Sequence, residues 1–155
     1  MAEPLAPDGP DLVAVFNAHR GGFERTLGLV FTQITPDELA CEVAIAPHLL
    51  QPYGLVHGGV YSAIVETLAS AGAALYAMGQ GRTSVGLENT TSFVRGARGG
   101  KLIAKATPVH RGRSSQVWEV AIHDDNGKLV ATGRVRTVSL ERGASIAGET
   151  VAVKT

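Results

Sequence analysis

Between Glu42 and Arg82 the chain carries one formally charged side chain, Glu66, and that carboxylate sits inside its most apolar stretch. The run from His57 to Met78 is rich in alanine and leucine and meets Gly79 at its end, the pattern of one long helix with a glycine stop. Leu55 to Gly81 is interrupted by His57, Gly58, Gly59, Glu66 and several small residues, which argues against an unbroken membrane span and for a helix buried in protein. Such a helix needs a wrapping. Its small residues, Ala63, Ala69, Ala71, Gly72, Ala73 and Ala74, let a curved sheet approach closely.

The flanking segments supply that sheet. Thr26 to Ile34 and Glu38 to Ile45 are β-rich runs split by Thr35-Pro36-Asp37, a turn with proline where its fixed φ is welcome, so they predict a hairpin. Ala46 to Val56 is a proline-containing loop into the helix. Beyond the helix the period changes, and Thr83 to Val94, Lys101 to Val109, Ser115 to His123 and Leu129 to Leu140 read as strands. Asn126-Gly127 joins the last two as a two-residue hairpin turn, with both residues expected at positive φ. In the last strand Val130, Thr132, Arg134, Arg136 and Val138 share one face, and Leu129, Ala131, Gly133, Val135 and Thr137 the other, so one wet and one packed face are expected. An amphipathic segment from about Asp11 to His19 forms a short helix that Gly21 and Gly22 end. The order predicts an α+β domain in which an antiparallel β-sheet wraps around one long central helix, and it excludes a doubly wound sheet.

A chain of 155 residues buries one core, so residues 1–155 are expected as a single domain, with about 1–10 and 141–155 as flexible tails. Basic and acidic residues number 14 each, and aromatics are 5% with none interleaved among the basic positions, so nucleic acid is not an expected partner. The single cysteine, Cys41, lies in the alternating stretch Leu39, Cys41, Val43, Ile45 as a small core residue. With no basic and apolar leader in Met1 to Pro10, a cytoplasmic setting and no membrane partner are expected.

Three features carry chemistry. Glu66, placed in the apolar helix, is either half of a structural ion pair with a strand arginine or a nucleophile or general base; Ser70, one turn on, shares its face and is either a packing residue or a group that orients water. Leu55-Val56-His57-Gly58-Gly59 opens the helix with unobstructed N–H groups. Gly58 N–H can serve a developing oxyanion, or the segment is an ordinary turn with His57 as its cap. No second ligand stands at metal-binding spacing from His57, so no metal is expected. Finally, no acid occurs between Glu88 and Glu119, whereas Arg95, Arg98, Lys101, Lys105, Arg111 and Arg113 do. They suit phosphate groups beside the turn glycines Gly96, Gly99, Gly100 and Gly112 and the hydroxyls of Ser114 and Ser115, or else a solvated strand face balanced by acids elsewhere.

From about Leu27 to Val138 the chain resembles the hotdog-fold thioesterases of the phenylacetate-pathway and enterobactin-pathway type, and the hydroxybenzoyl-CoA thioesterases with a helix glutamate. The resemblance rests on Gln51-Pro52-Tyr53-Gly54-Leu55-Val56-His57-Gly58-Gly59, on Glu66-Thr67-Leu68-Ala69-Ser70, and on His110-Arg111-Gly112-Arg113 followed by Trp118-Glu119-Val120. It implies hydrolysis of an aryl- or medium-chain acyl-CoA to free acid and CoA, with CoA as part of the substrate and no separate cofactor. In it Gln51 and the His57-Gly58 pair polarise the thioester carbonyl, Glu66 is nucleophile or general base, and Ser70 assists water. Gly59, Gly86, Phe93, Val94, Arg95 and Gly96, together with His110, Arg111, Gly112, Arg113, Ser114 and Ser115, are implied to hold the substrate. One departure is Gly96, where relatives often carry proline after the arginine. The resemblance also implies a homodimer, assembled further into a homotetramer, in which Gln51 and Gly58 of one subunit face Glu66 of the other. Two other readings compete. A hotdog hydratase or dehydratase would pair a histidine with a carboxylate, and an acyl-CoA-sensing regulator would need room for a separate DNA-binding domain.

Overall fold

The computed structural model describes residues 9–153. The central helix forms over Gly58–Gly79 (α3), one residue later at each end than the sequence pattern suggests. Two short helices precede it. Leu12–Ala18 (α1) is capped by Asp11, whose carboxylate accepts from Val13 N–H at 3.1 Å and Ala14 N–H at 3.2 Å. Gly22–Leu27 (α2) was not expected, since Gly21 and Gly22 read as a stop. Here they start a helix instead, because the Glu24 carboxylate turns back to accept Gly21 N–H, and Gly28, at φ 69°, ends it.

The strands are Leu29–Ile34 (β1), Leu39–Ala44 (β2), Arg82–Phe93 (β3), Lys101–Arg111 (β4), Ser115–Asp124 (β5) and Leu129–Glu141 (β6). They make one antiparallel sheet in the order β1-β2-β4-β5-β6-β3. The sheet curves around α3, whose Val60, Ile64, Val65, Leu68, Ala69, Gly72 and Ala73 are buried against it. Small residues permit the approach: a Cβ on Gly72 would stand 2.7 Å from the Trp118 ring, and one on Gly133 2.7 Å from Val65. Trp118 is fully buried yet satisfied, its indole N–H donating to Gln116 Oε1 at 3.0 Å while Gln116 Nε2 donates to Ala73 O at 3.0 Å. By length and mean hydropathy, 1.2 over its best window, α3 could cross a membrane, but it is occupied as the core of this sheet.

Two details depart from the sequence reading. The β5–β6 connection spans the four residues 125–128, of which only Gly127, at φ 75°, is left-handed. Gly127 N–H donates to Asp124 O, and the Asp124 carboxylate accepts from Asn126 N–H and Lys128 N–H, both at 2.9 Å, so an aspartate-seeded turn replaces the two-residue one. After Glu141 the chain is not a featureless tail. Ser145–Ile146 (β7) and Glu149–Thr150 (β8) pair as a small hairpin. The expected tail at 1–10 lies mostly outside the described residues.

The two sheet edges differ. On β1, Asn17 from α1 donates to Phe31 O and accepts from Phe31 N–H, both at 2.9 Å, and Arg20 donates to Leu29 O at 2.6 Å, so the edge is covered. The 12-residue strand β3 has no such cover among the described residues and is half-buried or exposed along its length.

Candidate active site

Glu66 lies on α3 facing β3. The strand can approach because residue 86 is glycine: a Cβ there would stand 2.4 Å from Glu66 Oε1. Ser70 Oγ donates to Glu66 Oε1 at 2.9 Å, and Asn89 Nδ2 donates to Oε2 at 3.0 Å. Asn89 is itself anchored, donating to Ser62 O at 3.1 Å and accepting from Thr91 Oγ1 at 2.7 Å. Among the described residues no ion pair joins Glu66, so the structural reading of a buried glutamate–arginine pair does not hold. Two neutral donors orient the carboxylate and leave its charge uncompensated, an arrangement suited to attack or to proton abstraction.

Sequence reasoning missed Asn89. Strict alternation from Gly86 would point Glu88 inward and Asn89 outward, but the β3–β6 register skips Leu87, and that bulge turns Asn89 toward Glu66. Its signal, a bulge, is set by pairing with β6 and is not visible in β3 alone.

A second set of predicted residues gathers at the N-terminus of α3. Gln51, Gly58, Phe93, Val94, Arg95 and Gly96 line an open cavity of about 280 Å³, joined there by Leu55, Val56 and Tyr61. His57 caps the helix, its Nδ1 accepting Gly59 N–H at 2.9 Å, which leaves the ring's other nitrogen as the N–H. Its own backbone carbonyl takes Val60 N–H at 2.9 Å. Gly58 N–H, by contrast, has no acceptor among the described residues, and it sits at the positive end of the helix. Gln51 Oε1 accepts Tyr53 N–H, so its NH₂ is left to donate. At 58 a Cβ would stand 2.4 Å from the exposed Phe93 ring, so glycine lets that ring lie over the helix start, and at 96 Leu55 fills the space a side chain would take.

The basic segment divides. Lys101 pairs with Glu42 at 2.9 Å, Lys105 with Glu38 at 3.2 Å and Arg111 with Asp37 at 2.7 Å, acids supplied from β2 and the turn before it. Arg111 also donates to Pro36 O and lies 5.2 Å from the Tyr76 ring centroid, which fixes the His110–Ser115 turn beside the later half of α3. Arg98 donates to Tyr53 O at 2.8 Å and braces the Gln51 loop. Arg95 and Arg113 make no ion pair among the described residues. Gly112 closes the β4–β5 turn through its N–H to Ser115 O at 2.9 Å, and Ser114 O takes Ser139 N–H at 2.9 Å. None of residues 110–115 lines the α3 cavity. A larger groove, about 530 Å³, lies on the opposite face of the sheet from α3, but its charges are already matched as Glu88–Arg136 and Glu119–Arg134.

A sheet wrapped on one buried helix, with an oriented carboxylate along that helix and an open N–H at its start, is a hotdog-fold thioester hydrolase. The chain belongs to the thioesterase superfamily, whose sequence profile matches residues 53–131. It is similar to a Mycobacterium tuberculosis protein with a provisional name as an esterase, at 46% identity over 77% of this chain and 86% of that one. The solved structure of that protein superposes with a TM-score of 0.77 at 42% identity, covering 81% of this chain and 100% of the other. The proofreading thioesterase EntH of Cronobacter sakazakii is 36% identical over 74% of this chain and 82% of its own. A thioesterase structure from Haemophilus influenzae is 29% identical, with a TM-score of 0.76 over 84% of this chain and 89% of that one.

Proposed function

We propose that the protein hydrolyses an aryl- or medium-chain acyl-CoA to the free acid and CoA, at a site shared between two copies of the chain. The observation that carries this is the separation of the two half-sites. Gly58 and Glu66 lie eight residues apart on one unbroken helix, about 12 Å along its axis, so they cannot meet at one carbonyl within a single subunit. An antiparallel copy of α3 brings the Gly58 end of one subunit to Glu66 of the other, and the uncovered β3 edge is a surface on which such a two-fold pair can join. The resemblance extends the pair to a homotetramer.

In that site Gly58 N–H and the Gln51 NH₂ hold the thioester oxygen. Glu66 takes a proton from water that Ser70 helps orient, and the hydroxide adds to the carbonyl carbon. The oxyanion then collapses, the C–S bond breaks, and the proton on Glu66 passes to the departing thiolate. Direct attack by Glu66 would give an acyl anhydride on the same residue, hydrolysed by water in a second step. Arg95 and Arg113, without an ion pair among the described residues, are the cations assigned to the CoA phosphates, with the remaining residues of 93–96 and 110–115 shaping its path. CoA enters as substrate, no resident cofactor takes part, and the reaction is placed in the cytoplasm. A hydratase reading is disfavoured because Glu66 is held by Ser70 and Asn89 and not by a histidine.

The test is a screen of aryl and aliphatic acyl-CoAs with a thiol-reactive dye, run on wild type and Glu66→Gln. Wild type should release CoA, and the variant should fold normally and release none. A variant with near-normal turnover would remove Glu66 from the chemistry.

A further inference from the structure

Tyr61 is an unusual lining for the cavity at the start of α3. Its residue is 2% exposed, and its hydroxyl has no hydrogen-bond partner. Leaving a buried hydroxyl unpaired costs about 1–3 kcal/mol, so the position is unfavourable for the free protein. Phenylalanine would fill the same space without that cost.

The hydroxyl's location gives it a use. Tyr61 follows Gly58 by three residues on the same helical face, and long helical side chains lean toward the N-terminus. Its oxygen therefore lies back beside the first turn, next to the backbone of Ala97, whose carbonyl accepts Val56 N–H at 2.8 Å. Burial pushes the phenol above its ordinary range, with the Ala97 backbone group opposing, so the hydroxyl stays protonated as a donor. The Ala97 N–H is close enough to act on the phenol oxygen without meeting hydrogen-bond geometry, and nothing among the described residues accepts the phenol proton. The Tyr61 ring lies against Phe93 with centroids 5.8 Å apart, and Phe93 in turn covers Gly58. Phe93 is 57% exposed, free to yield to a ligand. Three residues that line this cavity carry donors without acceptors among the described residues: Gly58 its backbone N–H, Gln51 its NH₂ and Tyr61 its hydroxyl.

We propose that Tyr61 is a catalytic residue, its hydroxyl donating to the thioester carbonyl oxygen alongside Gly58 N–H as negative charge develops there. This rests on the hydrolytic reading above and adds a donor to it. A donor of this kind strengthens as the carbonyl becomes an oxyanion, so its loss falls on kcat more than on KM.

The experiment compares wild type with Tyr61→Phe on one aryl and one straight-chain acyl-CoA, together with thermal unfolding of both proteins. The expected result is a fall in kcat of about 10- to 100-fold, similar for both acyl groups, with KM changed less than about threefold. The unfolding midpoint of the variant should be unchanged or higher, whereas a tyrosine with a merely structural hydroxyl would lower it. An unchanged kcat overturns the proposal. So does a fall confined to one acyl group, which would place the hydroxyl on the acyl portion and not on the carbonyl. If wild type releases CoA from neither substrate, the hydrolytic reading fails as well, so the two failures are told apart by the wild-type control.

Discussion

Gly86→Ala separates the position of the Glu66 carboxylate from the stability of the fold. The new Cβ would stand 2.4 Å from Glu66 Oε1, while ordinary contact begins at 3.4 Å, so the carboxylate must retreat by about 1 Å. The clash is with the end of a half-buried side chain and not with backbone, so the chain can absorb it. The bond from Ser70 would weaken, at about 1 kcal/mol, and alanine in a strand recovers about 0.5–1 kcal/mol relative to glycine. The net change in stability is therefore near zero, and the unfolding midpoint should move by no more than about 3 °C. Catalysis should not be spared. A displacement of about 1 Å in a reacting group costs on the order of 10²-fold, which at 1.36 kcal/mol per decade is about 2.7 kcal/mol of barrier. Gly72→Ala is the contrasting control, because its Cβ meets the buried Trp118 ring at 2.7 Å, and the resulting overpacking should cost about 1–3 kcal/mol of stability. Steady-state hydrolysis by thiol release and thermal unfolding measure both. A Gly86→Ala enzyme with kcat within twofold of wild type would refute the link between this glycine, the carboxylate's placement and turnover.

Arg113→Ala should raise KM for acyl-CoA severalfold at low salt, with the difference shrinking as salt rises, because the residue is assigned to phosphate and makes no ion pair among the described residues. Arg111→Ala should instead lower the unfolding midpoint, since it releases Asp37, Pro36 O and the Tyr76 ring. The Asp124 carboxyl is held below its ordinary range chiefly by the Lys128 backbone N–H, with the Asn126 N–H adding to it. A depressed folded pKa stabilises the fold above the unfolded value of about 3.9 and loses that contribution as pH falls through the folded one. In acid unfolding, the difference between wild type and Asp124→Asn should be constant above about pH 5 and should close below about pH 4. A gap that persists at lower pH would contradict it.

The central helix and its lone carboxylate were legible because they follow from short-range facts: a long run of small and apolar residues, glycines at both ends, and one charge between Glu42 and Arg82. The strands were legible for the same reason, with bounds within a few residues. What sequence could not supply was set by pairing across the chain. The bulge at Leu87 turns Asn89 inward, a consequence of β6 lying alongside β3. Lys101, Lys105 and Arg111 look free in an acid-poor segment, yet Glu42, Glu38 and Asp37 come to them across β2. Asn126-Gly127 marked the right turn, but the Asp124 side chain claimed the backbone N–H groups and changed its type. Tyr61 read as one more apolar helix residue, because only its surroundings reveal that its hydroxyl is unpartnered.

The central claim is that one carbonyl is served by the Gly58 end of one subunit and by Glu66 of another. Co-refolding Glu66→Ala with Gln51→Ala measures it directly. Each variant alone should be inactive, and a mixed dimer holds one site with both lesions and one with neither. With random pairing, half of the dimers are mixed and half of their sites are intact, so about a quarter of wild-type activity should return. Mixed dimers, verified by two different affinity tags, that recover no activity would show that Gln51 and Glu66 act within a single subunit.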